Sequence, residues 1–160
     1  QGGPHMNNTL AKAVAFGEAL QPEFKNYAKQ ILNNAKRLAD ELMKQGFKLV
    51  TNGTDNHLIM ADMPRSFDIT GREAQDVLDR IGLTANCNAI PYDPLPPFRP
   101  SGLRLGTPAI TTRGLKEKDM DIIAKWMAGA IKARNDENKL NKLSKEVKEF
   151  AEQFPLPSDS

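Results

Sequence analysis

The sequence predicts an α/β fold, a small and mainly antiparallel sheet covered by helices. Three observations carry that reading. Stretches with apolar residues at three- and four-residue spacing occupy both ends of the chain. Between them lie short runs suited to strands, two of them joined by the turn signal Asn52-Gly53. Six prolines from Pro91 to Pro108 then mark a long irregular loop, because proline fixes φ and removes a backbone donor.

In chain order, Thr9 to Leu20 predicts a first helix, with Leu10, Ala13, Val14 and Leu20 on one face. Gln21-Pro22 is a natural end and restart. The second helix carries Phe24, Ala28, Ile31, Ala35, Leu38 and Leu42, and Gly46 is its expected C′ residue. Phe47 to Thr51 and Asn56 to Met63 predict two antiparallel strands. Thr70 and Glu73 form a capping-box signature for a helix with Ala74, Val77, Leu78 and Ile81, stopped by Gly82. Leu83 to Asn88 predicts a third strand, which delivers the chain to the proline loop. After Gly114 come a helix with Met120, Ile123, Met127, Ala130 and Ile131, and a last helix with Leu140, Leu143, Val147, Phe150 and Phe154.

The bulk numbers narrow the function. A chain of 160 residues has room for one ordinary domain with its own core. Hydrophobic content of 39% and charged content of 26% are those of a globular protein. A net charge of +2, without a lysine/arginine run, gives no reason to invoke nucleic acid. No apolar stretch predicts a membrane span. The single cysteine, Cys87, precludes an internal disulfide and fits a reducing, cytoplasmic compartment. With two histidines and one cysteine, no metal site is expected.

Three places could carry chemistry. In Leu103-Arg104-Leu105 the side chains of an extended segment alternate, so Arg104 points away from two leucines and could present a fixed fork to a carboxylate or phosphate. Gly102 and Gly106 would leave room beside it for a ligand. Spacing alone leaves this open against a structural, solvent-exposed arginine. Gly2-Gly3 ahead of a helix could offer backbone N–H groups to a phosphate, or be a loose terminus. Asp55-Asn56-His57 reads as a turn cap followed by a buried histidine, and Cys87 as a buried structural thiol.

The order Asn88, Pro91, Asp93-Pro94, Pro97-Phe98, Ser101-Gly102-Leu103-Arg104-Leu105-Gly106-Thr107-Pro108-Ala109 and Thr112-Arg113-Gly114 closely resembles the C-terminal part of serine hydroxymethyltransferases. Gln1-Gly2-Gly3-Pro4 and Gly53-Thr54-Asp55-Asn56-His57-Leu58 resemble the same family in the same order. The likeness implies the C-terminal domain of a fold-type I pyridoxal-phosphate transferase, cut from a longer chain. The rival origin of Gly3-Pro4-His5-Met6 is the remnant of an expression tag. Residues 1–21 would be a helical arm continuing from a large cofactor domain, 22–155 the small domain and 156–160 a flexible tail.

The resemblance further implies a homodimer or higher oligomer that interconverts serine and glycine and passes a one-carbon unit to tetrahydrofolate. It gives Arg104 the substrate carboxylate and turns Gly2 and Gly3 toward the cofactor phosphate held by a partner subunit. It assigns Asn88, Pro96, Pro97 and Phe98 to the folate. Two departures stand out: Pro96 where serine is usual and Ala89 where threonine is common. No threonine-rich run followed by His-Lys occurs, so the chain lacks the family's Schiff-base lysine and holds no catalytic residue of its own. Two other readings stay open, a non-catalytic module for an anionic metabolite and the small domain of another pyridoxal-phosphate enzyme such as an aminotransferase.

Overall fold

The computed structural model describes residues 2–156. Gln1 and all of the expected tail except Leu156 lie outside the described residues. Among the described residues seven helices and four strands follow in the order α1 (Met6–Ala19), α2 (Pro22–Lys44), β1 (Lys48–Leu49), β2 (Leu58–Asp62), α3 (Met63–Phe67), α4 (Gly71–Arg80), β3 (Asn86–Asn88), β4 (Gly102–Gly106), α5 (Pro108–Thr112), α6 (Glu117–Lys132) and α7 (Glu137–Ala151). The strands form one antiparallel sheet in the order β1-β2-β4-β3. The expected α/β class is therefore the observed one. None of the described helices is long and apolar enough to cross a membrane.

One face of the sheet is covered. Leu49, Ile59, Ala61, Leu103 and Leu105 are buried beneath the helices, while Lys48, Leu58 and Arg104 are exposed on the other side. Helix α2 packs on α6, and α4 packs on β3 and β4. Leu38, Ala39 and Leu42 from α2 meet Met120, Ile123, Met127 and Ile131 from α6 in the same apolar cluster. At ~25 cal/mol per Å2 of apolar surface removed from water, this cluster is the main stabilising term.

Helix ends follow local chemistry. The Thr70 hydroxyl accepts from Glu73 N at 3.2 Å and the Glu73 carboxylate accepts from Thr70 N at 2.7 Å, which is the reciprocal cap the sequence predicts. Helix α2 stops at Gly46, whose φ of 103° lets its N–H reach Met43 O while Phe47 N reaches Leu42 O. The same pair of bonds closes α4 at Gly82-Leu83 and α5 at Gly114-Leu115. Pro64 and Pro108 sit in the first turns of α3 and α5, where a missing N–H costs nothing.

Several expectations need correction. Helix α1 begins at Met6 and buries no residue: Leu10, Val14, Phe16 and Leu20 are all more than half exposed. Phe24 at the start of α2 is likewise exposed, because α2 reaches the core only from Asn34 onward. The three predicted strands are shorter than their apolar runs. β2 ends where Asp62 turns to cap α3, its carboxylate accepting from Arg65 N at 3.1 Å. The proline-rich run contains a central strand, β4, and the short helix α5; both fall where prolines are absent or confined to a first turn.

Candidate functional site

The site is built on the open face of the sheet. In β4 the alternation holds: Leu103 and Leu105 are buried and Arg104 is exposed. Register sets Arg104 between Met60 of β2 and Asn86 of β3, with Asn88 two residues along β3 opposite Gly102. Arg104 and Asn88 therefore share one face of the sheet. Among the described residues no carboxylate forms an ion pair with the Arg104 guanidinium.

Arg104 opens onto a cleft shared with Lys36 and Asp40 of α2 and with residues 51–56 between β1 and β2. That turn is self-supporting. Asn52 adopts φ 52° and Gly53 φ 149°, the Thr54 hydroxyl donates to Leu58 O at 2.6 Å, and Asn56 Oδ1 accepts from Leu58 N at 2.7 Å. Asn56 is the cap expected there. His57 departs from expectation, since it lies exposed on the surface. Cys87 is half-buried, its backbone N–H donating to Gln75 Oε1 at 2.8 Å.

The far end of β4 is held by buried polar groups that sequence reasoning missed. The Asn34 amide, completely buried on α2, donates to the Thr111 hydroxyl at 2.9 Å and to Leu115 O at 3.0 Å. Thr107 donates to Ile31 O at 2.9 Å. An amide inside the Ile31-Ala35-Leu38 stripe was the available signal, because a buried amide needs partners. These bonds fasten the strand carrying Arg104 to the longest helix.

Gly102 does not leave room for a ligand. A Cβ there would fall 2.5 Å from Asn88 O and 2.7 Å from Ile90 Cγ2, so the missing side chain admits the chain's own backbone. At Gly106 a Cβ would find Leu58 Cδ2 at 3.4 Å, an ordinary contact.

Residues 89–101 link β3 to β4 as one long hairpin loop. Pro96, Pro97 and Phe98 sit exposed at its outer end, where Arg99 N donates to Pro96 O at 2.9 Å, and Tyr92 takes a left-handed φ of 56° with its side chain fully exposed. Asp93 organises the loop. Its carboxylate accepts from Ile90 N at 3.1 Å, Leu95 N at 2.9 Å, Ser101 N at 2.9 Å and the Ser101 hydroxyl at 2.6 Å. The Asp-Pro step in a turn was the signal for it.

Burial pushes the Asp93 carboxyl upward, but the hydrogen bonds from Ser101, Leu95 and Ile90 outweigh it and bring the pKa down to about 2. A depressed folded-state pKa contributes stability above the unfolded value, and that stability disappears as pH falls through the folded value. Melting of the parent and of Asp93→Ala should therefore differ clearly above pH ~4 and converge toward pH ~2. A gap unchanged across that window would contradict the hydrogen-bonded carboxylate.

Gly2 and Gly3 lie exposed ahead of α1, and among the described residues nothing lies within 4 Å of a Cβ at either position. The structure thus brings Arg104 and Asn88 onto one face, hangs Pro96-Pro97-Phe98 from the adjoining loop, and leaves Gly2-Gly3 ahead of α1.

Compared with known protein families, the chain matches the family model described as serine hydroxymethyltransferase over residues 1–127. The match includes Gly2-Gly3, the Gly53–Leu58 turn, the proline loop, Arg104 and most of α6.

Proposed function

Because this chain belongs to the serine hydroxymethyltransferase family, we propose that it is the C-terminal domain of an enzyme that interconverts serine and glycine and passes the one-carbon unit to tetrahydrofolate. The carrying observation is Arg104, an exposed arginine that makes no ion pair among the described residues and is turned outward from an inner strand of the sheet by two buried leucines. An unpaired guanidinium held on a rigid strand is already in position to receive an anion. Its planar fork holds an amino-acid carboxylate by two parallel N–H···O bonds, fixing orientation as well as charge.

In this reading Asn88 offers its amide to the folate pterin from the same face, while Pro96, Pro97 and Phe98 supply an apolar wall. Proline at position 96 has neither hydroxyl nor N–H, so this part of the wall works by shape and by the Phe98 ring. Gly2 and Gly3 fit a phosphate of a partner subunit's cofactor, since their backbone is open to close approach. Pyridoxal phosphate supplies the electron sink of the reaction when bound. The lysine that carries it is assigned to a segment outside these residues, so this chain alone is expected to be inactive.

Residues 1–21 are proposed as an arm toward the cofactor domain and 22–155 as the small domain. The support is that α1 exposes Met6, Leu10, Val14, Phe16 and Leu20 and buries nothing. A helix with so much apolar surface is stable only against a partner. A homodimer in the cytoplasm completes the proposal. The test is serine turnover by the full-length enzyme with and without tetrahydrofolate. Cleavage of serine to glycine that requires tetrahydrofolate is the expected result. Amino-group transfer to a keto acid, or serine turnover indifferent to tetrahydrofolate, would overturn it.

A further inference from the structure

We infer that Asp93 is a positioning residue that holds the outer end of the 89–101 loop in fixed register with the strand carrying Arg104. This rests on the proposed folate role of that loop.

The loop divides into a fixed side and a free side. On the fixed side, Ser101 O accepts from Met63 N at 3.1 Å, Pro100 O accepts from Gly71 N at 2.9 Å, and Ser101 itself is buried. Those bonds make Pro100-Ser101 part of the frame formed by α3, α4 and β4. The free side, Ile90 to Phe98, holds four of the chain's prolines and cannot join a strand ladder. Its own backbone bonds are two isolated turns, Asp93 N to Ile90 O at 3.1 Å and Arg99 N to Pro96 O at 2.9 Å.

Asp93 joins the two sides. Its two oxygens collect N–H groups from Ile90 and Leu95 on the free side, and the N–H and hydroxyl of Ser101 on the fixed side. Leu95 immediately precedes Pro96, and Ser101 stands three residues before Arg104. One carboxylate therefore sets the distance from the folate-facing end to the arginine strand. A second tie, Arg99 to Glu73 at 3.4 Å, is exposed and weak by comparison.

A site ordered in advance does not have to order itself on binding. Without the carboxylate the free side would lose its anchor, and the folate would have to immobilise several residues. Asparagine is no substitute. One of its positions would be an amide N–H2, facing the N–H groups of Ile90 and Ser101 or, with the amide flipped, the N–H of Leu95, donor against donor either way.

The experiment is equilibrium binding of tetrahydrofolate and of serine to the full-length enzyme and its Asp93→Ala, Asp93→Asn and Ser101→Ala variants, with amide hydrogen exchange over residues 90–101. Asp93→Ala and Asp93→Asn should weaken tetrahydrofolate on the order of 10- to 100-fold, leave serine affinity within about threefold, and speed exchange at Leu95. Ser101→Ala removes a single bond and should shift both readouts the same way by less, which keeps the test open if the Asp93 variants fold poorly. Parent-like tetrahydrofolate affinity with parent-like exchange would overturn the inference. Equal losses for serine and tetrahydrofolate would also overturn it, by making Asp93 a general structural residue. If the parent itself fails to bind tetrahydrofolate, the family-based reading of the loop fails instead, and the exchange data alone then decide whether Asp93 anchors it.

Discussion

Replacing Arg104 by lysine in the full-length enzyme is expected to weaken serine and glycine binding by on the order of 30- to several-thousand-fold. That range corresponds to roughly 2–5 kcal/mol, the usual cost of removing one partner from a desolvated charge pair. Lysine keeps the charge but loses the planar fork, so Arg104→Lys should approach Arg104→Ala in severity. Stability should barely change. Arg104 is exposed, and the strand is anchored by Leu103 and Leu105 on the covered face and by the Asn34–Thr111 bonds beyond. Serine titration alongside thermal melting checks both halves. A collapse in melting temperature without a selective substrate defect would return Arg104 to a structural role.

The largest loss of stability is expected at Gly71, in the first turn of α4. A Cβ there would lie 2.0 Å from Gly102 O, 2.7 Å from Gly102 C and 3.0 Å from Pro100 O, all backbone atoms of the segment leading into β4. Those atoms cannot swing aside as a side-chain tip can, so helix and strand must separate. Separation would break the Gly71 N to Pro100 O bond as well. Gly71→Ala should cost at least about 3 kcal/mol, at the upper end of overpacking effects. For a chain of this size that is a fall in melting temperature of roughly 6–12 °C. Gly17→Ala, on exposed α1 with nothing within 4 Å of the added carbon, should stay within about 1 kcal/mol of the parent. Equal melting of the two variants would refute the tight approach of α4 to the loop.

Local signals explain what the sequence made legible. The Thr70–Glu73 box, the glycine ends of α2 and α4 and the alternation around Arg104 all depend on neighbours in sequence, and each appears as read. Misreadings arose where partners lie far along the chain. Helix α1 carries an apolar face that nothing in the described residues covers. His57 looked like a buried strand residue, but the strand begins one position later, so its side chain stays outside. Gly102 looked like space for a ligand and proved to be space for Asn88 O and Ile90. The Asn34 and Asp93 networks join residues tens of positions or a proline loop apart, so the sequence signals the polar group while only the folded arrangement names its partners.

The central claim is that Arg104 reads the carboxylate of the substrate. Comparing serine with serinamide, in the parent enzyme and in Arg104→Lys, isolates that single contact, because serinamide keeps the hydroxymethyl and amino groups and changes only the carboxylate, whose charge and second acceptor oxygen give way to a neutral N–H2. The parent should prefer serine by on the order of 100-fold or more, and the variant should lose most of that preference while binding serinamide about as well as the parent does. A preference for serine equally strong in both proteins would place the carboxylate on another residue and contradict the account.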